Sequence, residues 1–113
     1  MKVSGLGIDA LEIRRFKMIL KKGSDRFIDS TFSAEEKKYC LSHTEPAQHF
    51  AGTFAAKEAV QKTLDKPLHL RNIEIRRQKS GKPEVWLSGK KSRSLLVSIT
   101  HSETIASAVA LRI

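Results

Sequence analysis

Cysteine, proline, aromatic side chains and negative charge are all scarce in this 113-residue chain. Each shortage closes a possibility. Cys40 is the single cysteine, so an internal disulfide and a cysteine-rich metal site are both excluded, and the usage fits a reducing cytoplasm. Aromatic residues make up only 6% of the chain, too few to build a stacking platform for single-stranded nucleic acid. No run approaches the ~20 apolar residues that span a bilayer, so a membrane is not an expected partner. "MKVSGLGID" lacks a long apolar stretch ending at a small-residue cleavage site, so no secretory leader is expected. With no repeat, low-complexity tract or linker, a single domain over residues 1–113 is expected.

What is present is basic. Twenty-one Lys and Arg oppose 12 Asp and Glu, for a net charge of +9. A field of that sign attracts polyanions: nucleic acid, phosphorylated cofactors or acidic proteins. Part of the charge is concentrated between residues 14 and 22. There Arg14, Arg15, Lys17, Met18, Lys21 and Lys22 share one side of a segment whose other side carries Ile13, Phe16, Ile19 and Leu20. A basic helix face holding an adaptable methionine suits docking on an acidic partner, or is simply a solvated surface.

The periodicities change along the chain. A short strand is expected to end at Asp9, followed by a helix from Leu11 to Lys22 that stops at Gly23. "SAEE" (33–36) is a capping box opening a second helix to about Ser42, and Pro46 suits the first turn of a third, running to about Leu64. Beyond it the period becomes two, and strands are expected at 72–77, 84–87, 95–100 and 105–111. Helices first and antiparallel strands later predict an α+β fold.

Three stretches carry candidate chemistry. "GLGIDA" (5–10) formally matches the G-x-G-x-x-G/A dinucleotide fingerprint, but the chain does not continue as alternating βαβ units. Its glycines then serve a tight turn or a close approach to a neighbouring element, and Asp9 is either a helix N-cap or a ligand for a divalent cation that shares the site with a pyrophosphate. In "AAKEAVQKTL" (55–64), Phe54, Glu58, Ala51, Lys62 and Ala55 fall within an arc of roughly 100°. Glu58 is thereby set apart from an outer polar face assigned to Lys57 and Thr53. Glu58 and Lys62 are either a solvated i,i+4 pair or a carboxylate and ammonium held for chemistry, and Asp9 with Glu58 suits Mg²⁺. "KSGKP" (79–83) and "SITHSE" (98–103) are turns whose amides, lysines and His101 could meet an anionic ligand, or turns and no more.

Taken in order, "GLGIDALEIRRF", "DRFIDSTFSAEEKKYC", "PAQHFAGTFAAKEAVQKTL", "IEIRRQKSGKPEVWL" and "VSITHSETIASAVAL" resemble the holo-acyl-carrier-protein synthases, the small branch of the 4′-phosphopantetheinyl transferases. The resemblance implies transfer of the phosphopantetheine arm from coenzyme A to a serine of an acidic acyl carrier protein, with adenosine 3′,5′-bisphosphate as co-product. It implies that Asp9 and Glu58 hold Mg²⁺, and that Lys62 and His101 offset charge on the leaving phosphate. The serine proton would pass to Glu58 or to a water on the metal. Gly81, Lys82, Pro83 and His101 would lie along coenzyme A, while Arg15, with Arg14, Met18, Arg26 and Phe27, would meet the carrier protein. A cytoplasmic homotrimer with active sites between subunits is the implied assembly. Two stretches depart from the family pattern. "LDKPLHLRN" (64–72) lacks the usual glycines, and "HFAGTF" places His49 and Thr53 where arginines are common. Coenzyme A contacts are therefore expected to differ here, with Lys66 or Arg71 as candidate replacements. The alternatives are a basic nucleic-acid-binding domain, or a family member that binds coenzyme A without turnover.

Overall fold

A computed structural model describes residues 2–23 and 25–113. Its elements are β1 (Gly5–Glu12), α1 (Arg14–Lys21), α2 (Arg26–Thr31), α3 (Ala34–Leu41), α4 (Pro46–Thr63), a 3₁₀ turn (Leu70–Asn72), β2 (Ile73–Arg77), β3 (Pro83–Leu87), β4 (Lys90–Lys91), β5 (Leu95–His101) and β6 (Ile105–Arg112). The class is α+β. The strands divide between two antiparallel three-stranded sheets, ordered β1-β6-β5 and β2-β3-β4. β1 therefore joins the C-terminal sheet, pairing with β6 from Gly5 opposite Arg112 to Glu12 opposite Ile105.

The 18-residue α4 is the centre of the molecule. It packs against β1, β5, β6, β2, α1 and α3, and its buried residues lie all the way round it. A helix enclosed on every side needs no apolar stripe, so the outer polar face assigned to Thr53 and Lys57 does not exist. Both side chains are buried. Around its N-terminal half all five phenylalanines gather in one cluster, Phe16 lying 5.7–6.2 Å from the rings of Phe27, Phe32, Phe50 and Phe54. Around its C-terminal half, Ala55, Ala56, Ala59 and Val60 pack against Ile73, Ile75, Val85 and the inner faces of β5 and β6.

The small residues of β1 have a steric purpose. A Cβ on Gly7 would sit 1.9 Å from the carbonyl oxygen of Ala59, and one on Gly5 would sit 2.6 Å from that of Thr63. β1 lies against α4 backbone to backbone, which is the close-approach reading and not a phosphate turn. The strand also continues through Glu12, so Asp9 is not a helix N-cap; Ile13 precedes α1 without a side-chain cap. Three short elements had no expectation: α2, capped by the Asp25 carboxylate accepting from Phe27 N at 2.6 Å, the 3₁₀ turn and the two-residue β4. Among the described residues no helix is long and apolar enough to cross a membrane.

Candidate functional site

Asp9 lies on the α4-facing side of β1, in step with Gly5 and Gly7. Lys62, the penultimate residue of α4, reaches it from the helix. Its ammonium donates to Ile8 O at 2.7 Å and lies 3.5 Å from Asp9 Oδ1. Glu58 is one turn back along α4 and half-buried. Among the described residues it forms no ion pair with Lys62, so the solvated i,i+4 pair is not made. The glycine contacts thus bring Asp9 against the same helix that carries Glu58 and Lys62. The two carboxylates are hard oxygen donors, neither closed off by a short ion pair. That set fits Mg²⁺, which takes one or two carboxylates beside substrate phosphates.

The residue before Glu58 has the opposite character. Lys57 is wholly buried and donates to Glu36 Oε1 at 2.6 Å, with both side chains out of solvent. Glu36 closes the capping box by accepting from Ser33 N at 2.9 Å, and its Oε2 accepts from Ile75 N at 2.8 Å. One carboxylate thereby joins α3, α4 and the outer edge of β2. Burial pushes the Lys57 ammonium down from its ordinary value, and the Glu36 charge opposes this. The Cys40 thiol nearby is pushed up to about 12, chiefly by burial, so it is no nucleophile; its Sγ lies 3.8 Å from Thr53 Oγ1.

His101 and the 79–83 turn lie on the far flank of the sheet. Asp9 is level with Ala108 and Ile99 across β1-β6-β5, and His101 is two residues beyond Ile99 on the same face. Two strand spacings, about 10 Å, therefore separate the Asp9 edge from the His101 edge. His101 packs against His49 of α4, ring centroids 5.9 Å apart, and lines a cleft of about 140 Å³ with Tyr39, Gln48 and Arg77. Arg77 links this cleft to the turn. Its guanidinium lies 4.7 Å over the Tyr39 ring and donates to Gly81 O at 3.4 Å. Gly81 adopts φ +91°, the left-handed conformation the tight turn requires. Lys82 and Pro83 flank a second groove with Lys91, Arg93 and Val97.

Arg77 was not singled out from the sequence, although a signal was present. Strand alternation puts Ile73, Ile75 and Arg77 on one face, so a charge stands on the buried side of β2. Arg71, a candidate replacement for the missing arginines, is instead tied to Asp29 O at 3.0 Å. Thr53 faces the core.

The basic face stands on aromatic supports. Arg15 lies 5.5 Å over the Phe27 ring and 5.3 Å over that of Phe54, which limits where its guanidinium can go. Arg14, Met18 and Arg26 are exposed around it, Met18 by 53%.

Known proteins resemble the chain over nearly its whole length. The family model for the 4′-phosphopantetheinyl transferase superfamily matches residues 5–110. A holo-[acyl-carrier-protein] synthase from Thermodesulfovibrio yellowstonii is 38% identical over 92% of this chain and 93% of its own. One from Chlamydia caviae is 39% identical over 98% of both. Among solved structures, a Bacillus anthracis holo-(acyl-carrier-protein) synthase in complex with CoA (3′,5′-ADP) superposes with a TM-score of 0.81 at 26% identity, covering 97% of this chain and 96% of that one. The chain belongs to the 4′-phosphopantetheinyl transferase superfamily and, within it, to the holo-[acyl-carrier-protein] synthases, and is thus an enzyme of that transferase class.

Proposed function

We propose that the protein transfers the 4′-phosphopantetheine arm of coenzyme A to a serine of an acidic acyl carrier protein, with Mg²⁺ required and adenosine 3′,5′-bisphosphate released. The observation that carries the reading is the convergence of Asp9, Lys62 and the Glu58 turn on the β1–α4 contact, with Lys62 committed to the β1 side and not to Glu58. Mg²⁺ held by Asp9 and Glu58 would polarise the pyrophosphate of coenzyme A. Serine attack on phosphorus expels an anionic phosphate, so alignment and charge neutralisation dominate. Lys62, half exposed beside the carboxylates, can follow that charge as it moves to the leaving group. Glu58 can take the serine proton.

The remaining candidates extend the same reading. Gly81, Lys82, Pro83 and His101 line the path of coenzyme A, and Arg14, Arg15, Met18, Arg26 and Phe27 receive the carrier protein by charge complementarity. The Asp9 and His101 edges are two strands apart, so a site using both is naturally completed between neighbouring copies. An apolar outer sheet face supports a trimer: Leu6, Ile8, Leu96 and Val109 are 66%, 64%, 54% and 40% exposed, and Leu6, Leu111 and Leu96 are level across the strands. A cytoplasmic location follows from the same reading. The test is intact mass spectrometry of an apo carrier protein incubated with the enzyme, coenzyme A and Mg²⁺. The carrier is expected to gain the mass of the arm, and to stop gaining it when the metal is chelated. An unchanged mass in the complete reaction overturns the proposal.

A further inference from the structure

Outside the carboxylate region, one cluster of titratable side chains is unusual for a chain with four histidines. The rings of His43 and His49 stack with centroids 3.6 Å apart, and His101 meets His49 edge-on at 5.9 Å. His43 is oriented by its backbone neighbour. Its Nδ1 lies 2.8 Å from Tyr39 O, and a carbonyl only accepts, so Nδ1 carries a proton there. Tyr39 stands edge-on to both rings, 4.6 Å from His43 and 5.8 Å from His49.

The groups facing His49 can be named element by element: Tyr39 from α3, His43 from the α3–α4 connection, Arg77 from the end of β2 and His101 from the end of β5. Every one of them is neutral or cationic. Glu35 lines an adjoining cavity that shares Tyr39 and Arg77. Burial, followed by His43, His101 and Arg77, lowers the His49 imidazole to about 4, so it is neutral at physiological pH. His49, His101 and the Arg77 guanidinium line one cleft, with the His43 ring stacked on His49, and no carboxylate is among the cleft's lining residues. A phosphate dianion in the cleft would reverse that balance, since an opposite charge within about 4–6 Å favours the charged imidazole.

We propose that His43, His49 and His101, together with Arg77, form a proton-coupled site for a phosphate monoester dianion, the imidazoles taking up protons as the dianion arrives. The proposal rests on the reading that this flank faces coenzyme A, whose ribose carries such a monoester. It adds that affinity there depends on pH. The sign follows from linkage: the imidazoles bind protons more tightly in the complex than in the free protein, so affinity is highest at low pH and falls as pH rises through their complexed values. Each proton taken up contributes at most a tenfold change in Kd per pH unit. The monoester itself loses its second proton near pH ~6, so the range above about pH 6.5 isolates the protein's contribution.

Two measurements on the full chain test this. Calorimetry of coenzyme A binding in buffers of different ionisation enthalpy reads the protons exchanged, and dephospho-coenzyme A, which lacks the monoester, is the matched probe. Net proton uptake with coenzyme A, absent with dephospho-coenzyme A and reduced in His43→Gln and His49→Gln, is expected. Coenzyme A binding with no proton uptake, or with the same uptake in both variants, overturns the proposal and leaves the transferase reading intact. NMR titration of the imidazole carbons, which needs no variant, gives the second readout with inorganic phosphate and with adenosine 3′,5′-bisphosphate. Upward-shifted His43 or His49 midpoints with either anion support the site even if coenzyme A itself fails to bind, the result that would overturn the transferase reading. Unmoved midpoints with both anions overturn the site.

Discussion

Two lysines on α4, five residues apart, have opposite surroundings. Lys57 and Glu36 form a 2.6 Å pair with both side chains wholly buried. Lys62 and Asp9 stand 3.5 Å apart with their side chains 51% and 22% exposed. The first pair is closed: Ser33 N and Ile75 N use the remaining acceptor capacity of Glu36, and no ligand could enter without breaking three contacts. The second is open and long, its ammonium held more closely by Ile8 O at 2.7 Å. Successive helix residues are about 100° apart, so fixing Lys57 also fixes the rotation of α4 and the direction in which Glu58 leaves it. The closed pair is the fastening that lets the open one be loose.

The largest effect that would break this contrast is expected from Lys57→Met. It strands a buried carboxylate and should cost about 3–5 kcal/mol, read as a fall in the denaturant midpoint. Replacing both partners, as in Glu36→Leu with Lys57→Met, should recover most of that loss. If the single variant is as stable as the parent, the fastening role is wrong. Next is Glu58→Gln, expected to lower carrier modification roughly 100-fold with the unfolding midpoint unchanged, because only the open side is touched.

Gly7→Ala comes third. Its methyl has no room against Ala59 O, and overpacking of this kind costs typically 1–3 kcal/mol. Activity should fall further than stability, since β1 carries Asp9 away from α4. Lys62→Met should sharpen the comparison from the other side, with modification slowed by roughly tenfold and stability moved by less than about 1 kcal/mol, as for exposed pairs. The smallest expected effect is in acid. The His49 imidazole takes a proton near 6.5 when unfolded and near 4 when folded, so its share of stability is complete above 6.5 and lost as pH falls toward 4. His49→Gln should therefore narrow the gap between denaturant midpoints measured at pH ~7 and pH ~5.

How much of this was legible in the sequence depends on the range of the interaction. The Ser33–Glu36 capping box, the Pro46 start of α4 and the alternation of β5 and β6 are local, and the structure has them nearly where the patterns place them. Glu36 was readable as a cap, but its second use was not, because Lys57 and Ile75 are 21 and 39 residues away. Hydrophobic arcs misplaced Lys57 and Thr53 for the same reason: they assume that charge means solvent, and a buried partner breaks that assumption. His43 and His49 stack across a chain reversal at Pro46, where no helical period applies. α2 is six residues long, too short for periodicity to register.

The pairing of β1 has one more consequence, and it concerns timing. β1 bonds only to β6 within its sheet, and Ser107 Oγ donates to Asp9 O across 98 residues of chain. Asp9 is made well before the strand that fixes it, since β6 begins 96 residues later, at Ile105. A nascent chain ending before residue 105 has α4 but no partner for β1. The placement of Asp9 against its strand partner is therefore withheld until residues 105–112 have been made, and long-range closure of this kind is the slow part of folding.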